Sequence, residues 1–390
     1  MTTAIAIRPA APVRPALLSR TLLLRCVSIV GCSLSFYLLL SVVPLYATAT
    51  HGGDGAAGIT TGALMVATVA GELACPRLVA RHGYRRVLVV GLVLLGAPAL
   101  VLTVAHSMAW IVAVCLVRGL GFAVTVVAGG ALTAELVPTE RRGEGLALVG
   151  VVSAAPSLAA LPLGVWLAGH VGYTVVAVAA GVAALASVAA IPGLPDRRPA
   201  EAEAAGVVAG LRTGALARPA LVFAATASAA GVIVTFLPLA VPRGATGLVA
   251  LALLVQPAAA TVARWLAGRF GDRYGSARLV LPGLLASAAG ILLTTLVGSP
   301  VALVAGVTLF GLGFGVTQNA TLTLMYARVP ASGYGTVSAL WNVAYDAGMG
   351  AGALGFGAVA GAVGYALGFA LTGVLMLVAL APALRDRRGR

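Results

Sequence analysis

The chain has 390 residues, 60% of them hydrophobic and 9% charged, with a formal net charge of +14. A water-soluble domain carries roughly a quarter charged residues, so this composition excludes a globular surface wetted on all sides. None of the 25 basic residues is lysine, which excludes a P-loop ATPase and any lysine Schiff base or general base.

A helix that crosses a bilayer needs about 20 mostly apolar residues. After a Pro- and Arg-containing tail at 1–20, runs of that kind fall at 21–45, 57–79, 86–105, 109–134, 145–169 and 171–193. A polar stretch at 194–218 with Pro195, Asp196, Arg197, Arg198, Pro199, Glu201 and Glu203 then reads as a linker too short to be a domain. A second set of runs follows at 219–241, 246–268, 277–298, 300–327, 334–360 and 362–384, before a basic tail at 385–390. The first run is long and lacks a small-residue cleavage site, so it is expected to stay as a membrane span. The expected fold is therefore an all-α membrane protein of about twelve transmembrane helices, in an N-terminal bundle at 21–193 and a C-terminal bundle at 219–384. The 50 glycines suit it, because small residues let helices approach closely where lipid gives no hydrophobic drive between them.

Cytoplasmic loops are enriched in arginine. With the N-terminus inside, Arg8, Arg14, Arg20, Arg81, Arg85, Arg86, Arg141, Arg142, Arg197, Arg198, Arg212, Arg218, Arg273, Arg278, Arg328 and the tail from Arg385 all lie on the inner side, and only Arg243 on the outer. Both termini are expected in the cytoplasm. Arginine in place of lysine, with abundant Ala, Gly and Val, suggests a GC-rich bacterial source and hence a plasma (inner) membrane. The arginines lie in short loops, so they imply a lipid bilayer as partner and no nucleic acid.

The halves repeat at an offset of 192 residues: Arg81 matches Arg273, Gly83 matches Gly275, and Gly91 matches Gly283. Gly119-Leu120-Gly121-Phe122 returns at 311–314, Val137-Pro138 at Val329-Pro330, and Gly172-Tyr173 at Gly364-Tyr365. Internal repeats of this kind mark secondary transporters, whose sites lie between the repeats near mid-membrane.

With those features the chain resembles the major facilitator superfamily. Gly268, Arg269, Phe270, Gly271, Asp272, Arg273, Tyr274, Gly275, Ser276, Ala277 and Arg278 are similar to the family's signature loop between helices 8 and 9. The copy between helices 2 and 3 is degenerate: Arg81, Gly83, Arg85 and Arg86 remain, while Pro76 and Ala80 stand where a glycine and the aspartate belong. The resemblance implies that Asp272 helps latch the bundles at the inner face and that the first latch is weaker. Val117-Arg118-Gly119-Leu120-Gly121-Phe122 is similar to the family's fourth-helix motif, and Pro138 to Gly143 to the loop after it. Gly150, Pro156, Pro162 and Gly164 loosely resemble an exporter motif. The family places helices 1, 4, 7 and 10 around a central cavity.

Charges inside a bilayer cost several kcal/mol and are candidates for function. Those singled out within the spans are Arg25, Glu72, Arg118, Arg264 and Asp346. Arg25, near the start of the first helix, is expected to snorkel to the headgroups. Glu72 and Arg264 occupy equivalent places under the repeat and are expected in coupling or gating at the inner face. Asp346 lies in the middle of helix 11, and a carboxyl group in low dielectric favours its neutral form. That suits it to carry protons, with Arg118 as its electrostatic modulator. Gln318, Asn319, Trp341, Asn342, Tyr345, Phe36 and Tyr37 are the expected substrate-binding residues, since aromatic rings beside amides suit a partly apolar ligand.

The four cysteines (Cys26, Cys32, Cys75, Cys115) lack CxxC spacing and read as small core residues. His51, His82, His106 and His170 form no ligand cluster, so no metal and no cofactor is expected. The leading expectation is a monomeric, proton-driven exporter of a small hydrophobic compound, a drug or secondary metabolite, acting as an antiporter. Proton-coupled uptake of a sugar or organic acid is the alternative. A membrane enzyme or sensor would need a catalytic constellation or a soluble appendage, and the sequence offers neither.

Overall fold

A computed structural model describes residues 19–137, 142–196, 207–242, 244–330 and 333–388. Most of the expected tail at 1–20, Pro138 to Arg141, linker residues 197–206 and Arg243 lie outside them. The described chain is helical throughout. Helix α1 spans Arg20–His51, with a break at Ser41 where Pro44 has no N–H to return to the Leu40 carbonyl. Then come α2 (Asp54–His82), α3 (Tyr84–Leu100), α4 (Met108–Leu136), α5 (Arg142–Val171) and α6 (Tyr173–Ser187). A short helix Val207–Arg212 precedes α7 (Gly214–Ala240), so the second half starts four residues before the expected linker boundary at 218. It continues with α8 (Thr246–Tyr274), α9 (Ala277–Leu293) and α10 (Pro300–Tyr326). The stretch Tyr334–Met376 breaks at Gly364 (φ 76°, ψ 165°) into α11 at 334–363 and α12 at 365–376. A helix Leu380–Arg388 ends the described residues.

The repeat is geometric as well as verbal. Helices α2 and α8 are both 29 residues long, and α3 and α9 both 17. Ser107 caps α4 by accepting from the Trp110 amide, and Ser299, 192 positions on, caps α10 by accepting from Ala302. The turns between paired helices sit on Gly83 (φ 78°) and Gly275 (φ 90°), and again on Gly172 (φ 90°) and Gly364 (φ 76°). A side chain at any of these would strain the left-handed backbone.

Close packing follows the same register. A Cβ at Gly119 would lie 2.3 Å from the Leu64 carbonyl oxygen, and one at the equivalent Gly311 would lie 2.3 Å from that of Gln256. Small residues thus bring α4 onto α2 and α10 onto α8 at backbone distance. Across the molecule, α2 packs on α11 and α5 on α8, two contacts related by the repeat. These two seams join the halves, and the site lies along them.

Candidate functional site

A cavity of about 260 Å³ lies between the halves. On α8, Gln256, Ala260 and Arg264 follow at four-residue spacing and so share one face. Gly150, Ser153, Ala154 and Ser157 of α5 face them, with Thr261 beside Arg264. Tyr37 of α1, Phe314 and Gln318 of α10, and Tyr345 and Met349 of α11 complete the aromatic and apolar side. The Arg264 guanidinium is exposed to this space and donates to Gln318 Oε1 at 3.3 Å.

Behind Tyr37 and Tyr345, the carboxyl groups of Glu72 (α2) and Asp346 (α11) meet within hydrogen-bonding reach across the seam. Asp346 is 6% exposed, and Glu72 Oε2 is buried without another partner. Two carboxyl groups can hydrogen-bond to each other only when one carries a proton. Tyr345, the residue before Asp346, lines the cavity together with Tyr37.

Other expected residues sit elsewhere. Arg118 is not beside Asp346: its guanidinium donates to the carbonyls of Leu95 (2.8 Å) and Ser35 (2.9 Å), strapping α4 to α3 and α1. Arg25 does not reach the headgroups. It is 4% exposed and donates to the Gly129 carbonyl, Thr133 and Ser28, a second strut between α1 and α4. Arg264 belongs to the cavity, away from the signature loop with which the sequence grouped it. Trp341 stacks on Phe223 at 4.3 Å and donates to Thr321, inside the second half. Phe36 stacks on Phe122 at 3.6 Å. Asn319 and Asn342 do not line the cavity, and Asn319 Oδ1 is buried without a partner.

In the signature loops Arg81, Arg86, Asp272 and Arg273 are exposed and Arg85 and Gly268 half-buried, while Gly83 and Gly275 form the turns. Among the described residues Asp272 makes no ion pair; Arg273 lies over the Tyr274 ring at 5.4 Å. Ser153, Ser157, Gln256, Thr261 and Phe314 were not expected from sequence. The available signal was the polar spacing of Gln256 and Arg264 along α8.

The two ends of the seam differ. Away from the arginine-bearing face, Tyr365 of α12 donates to Asp54 of α2, and Thr61 pairs with Thr235 at 3.0 Å. There a Cβ at Gly58 would lie 2.6 Å from the Ala353 carbonyl oxygen. Towards the arginine-bearing face Leu73, Ala74, Arg77 and Arg81 of α2 and Tyr334 and Gly335 of α11 are exposed. The close contacts across the seam thus gather at the end away from the arginine-bearing face. A separate vestibule of about 420 Å³, lined by Thr48, Tyr173, Pro238, Thr246 and Tyr365, lies beyond the clamp.

Two six-helix halves enclosing a central cavity have the architecture of a membrane transporter. The chain matches the Major Facilitator Superfamily over residues 26–353 and 244–390, and it belongs to that family. Its fold is similar to a point mutant of the nucleoside transporter NupG, with a TM-score of 0.75 at 14% identity over 94% of this chain and 100% of that one. A bacterial homologue of the human lysosomal transporter Spinster, in an inward-facing and occupied conformation, superposes with a TM-score of 0.80 at 14% identity, covering 94% and 96% of the two chains. An auto-inhibited POT family peptide transporter gives 0.76 at 14% identity over 95% and 98%. Curated protein sequences give no match.

Proposed function

We propose that the protein is a proton-coupled secondary transporter that moves a small organic molecule by alternating access, with Glu72 and Asp346 as the proton site. The observation that carries this is the carboxyl pair itself, which spans the seam between the halves. Its proton state acts on the contact that must slide when the halves rock. Tyr37, Tyr345 and Gln318 belong to the cargo site. Asn319, Trp341, Asn342 and Phe36 act behind it, as packing that fixes the wall.

Arginine placement supports cytoplasmic termini in a plasma membrane, with the clamped end of the seam facing outwards. The signature loops, through Asp272 and its neighbours, are the elements that close the inner end in the other state. Efflux by antiport, with drug resistance as its outcome, and proton-coupled uptake of an organic acid are the two modes to separate. The aromatic wall suits both. The polar groups of α5 and α8, with Arg264 among them, favour the second.

The test needs no cargo. In a background lacking the native cysteines, spin labels at the equivalent exposed positions Arg86 and Arg278 report the inner ends of the halves. Labels at Val104 and Leu296 report the outer ends. Lowering the pH should change the two distances in opposite senses, and Asp346→Asn should abolish the response. Distances that move together, or an unaltered response in Asp346→Asn, would remove the pair from the mechanism.

A further inference from the structure

The cavity carries one strong charge, and its sign is positive. Arg264 extends into it with a single described acceptor, the neutral Gln318 Oε1 at 3.3 Å. Among the described residues no acidic one lines the space. A guanidinium has five donors in a planar fork that fits a carboxylate, and a described acceptor engages only one of its nitrogens. The rings of Tyr37, Phe314 and Tyr345 line the same space, with Phe314 and Tyr345 6.2 Å apart between centroids. At about 260 Å³ the space falls just below the range for drug-sized ligands, roughly 300–1,000 Å³. It admits one ring with a short charged arm.

From this arrangement we infer that the cargo is a small aromatic monoanion whose carboxylate is held by Arg264 and whose ring lies against Tyr37 and Tyr345, and that it loads together with the proton. This rests on the transporter reading above. The sign of coupling follows from charge. When the Glu72–Asp346 pair loses its proton, the added negative charge opposes an anion at Arg264; when the pair is protonated, Arg264 is free to attract it. Anion and proton therefore favour the same state, which is the signature of co-transport.

Among the described residues the groups around the pair are few. Tyr37 and Cys32 belong to α1, Cys75 to α2, Arg264 to α8 and Tyr345 to α11. Arg118 and Cys115 of α4 lie close to each other and away from the pair. Helix α7 offers only Arg218 at its inner end, where Asp386 is its partner, and α10 only Tyr326 at its end. The acid pair is thus the group near the cavity on which the pH response is expected to rest.

The experiment uses benzoate, benzamide and benzylamine as matched negative, neutral and positive probes, with binding to the purified full chain read by calorimetry. Benzoate should bind at least about tenfold more tightly than either analogue, the worth of a charge-assisted contact. Its affinity should rise as the pH is lowered through a range in which benzoate stays ionised, because protonation of the acid pair removes the negative charge that opposes the anion. Arg264→Gln should remove the preference and Arg264→Lys restore part of it. Benzoate binding no tighter than benzamide, absence of binding included, would overturn the anion assignment, as would affinity that falls on acidification. The label distances judge the transporter reading separately, because no cargo enters that measurement.

Discussion

Gly58 offers a perturbation whose effect depends on which halves it separates. It lies on α2 at the clamped end, where a methyl group would sit 2.6 Å from the Ala353 carbonyl oxygen and 3.2 Å from the Gly357 Cα, both on α11 of the other half. Neither neighbour is the free end of a side chain, so backbone must move. Overpacking of this kind costs about 1–3 kcal/mol. In Gly58→Ala the cost falls only on the state in which the outer seam is closed, so the chain escapes it by opening there. A bias of about 1–3 kcal/mol corresponds to a population shift of roughly 5–150-fold. The control is Gly231→Ala. Its methyl would lie 2.3 Å from the Met349 carbonyl oxygen, but α7 and α11 belong to one half and stay packed in every state. Gly231→Ala should lower the melting temperature by a few degrees and leave the label distances alone. Gly58→Ala should lengthen the Val104–Leu296 distance and shorten Arg86–Arg278 with little change in melting. If Gly58→Ala lost stability as Gly231→Ala does and left both distances unchanged, the clamp would be static packing and not a gate.

Three further outcomes follow from the same geometry. Tyr365→Phe removes the donor to Asp54 and should weaken the outer clamp by about 1 kcal/mol, additively with Thr61→Val because the two contacts share no partner; the outer label distance measures both. Arg118→Leu should cost about 1.5–3 kcal/mol of stability through the lost bonds to Leu95 and Ser35. Its pH response should stay intact, and a shifted response with unchanged melting would return Arg118 to the coupling machinery. Asp346→Asn should keep exchange of cargo across the membrane but lose accumulation, which for one proton is about tenfold per pH unit. Accumulation equal to that of the parent chain in proteoliposomes with a preset pH gradient would refute one-proton coupling through this pair.

The spans and the duplication were legible because bilayer thickness and arginine placement constrain them directly. The equivalence of Gly83 with Gly275 and of Gly172 with Gly364 could be read from letters, and it reappears as the same left-handed turns. Side-chain partners were not legible. A soluble helix announces its inner face by a polar outer one, whereas membrane helices are apolar all round, so the sequence does not say which stripe meets the other half. Asp346 was singled out because its charge is costly in lipid, but its neighbour Glu72 is supplied by α2 packing on α11, a tertiary fact. Arg118 and Arg25 misled for the opposite reason. Each is satisfied by neutral oxygens of neighbouring helices, and no pattern of residue types reveals that a backbone carbonyl stands within reach.

The repeat also shows where chemistry departs from symmetry. Positions 72 and 264 are equivalent in the two halves, yet one is glutamate and the other arginine. Asp346 answers to Ala154, and Gln318 to Val126. Acid is thus confined to the seam of α2 with α11, and the cation faces the space between α5 and α8. Had both charges shared one seam, Arg264 would neutralise the pair as a static salt bridge and neither proton nor anion would have a site. Separating them leaves the acids to share a proton and the guanidinium to seek an external partner. The two seams belong to the same pair of rigid halves, so one rocking motion opens or closes both. Occupancy of one seam then changes the energy of motion at the other, and coupling needs no connection beyond the shared halves.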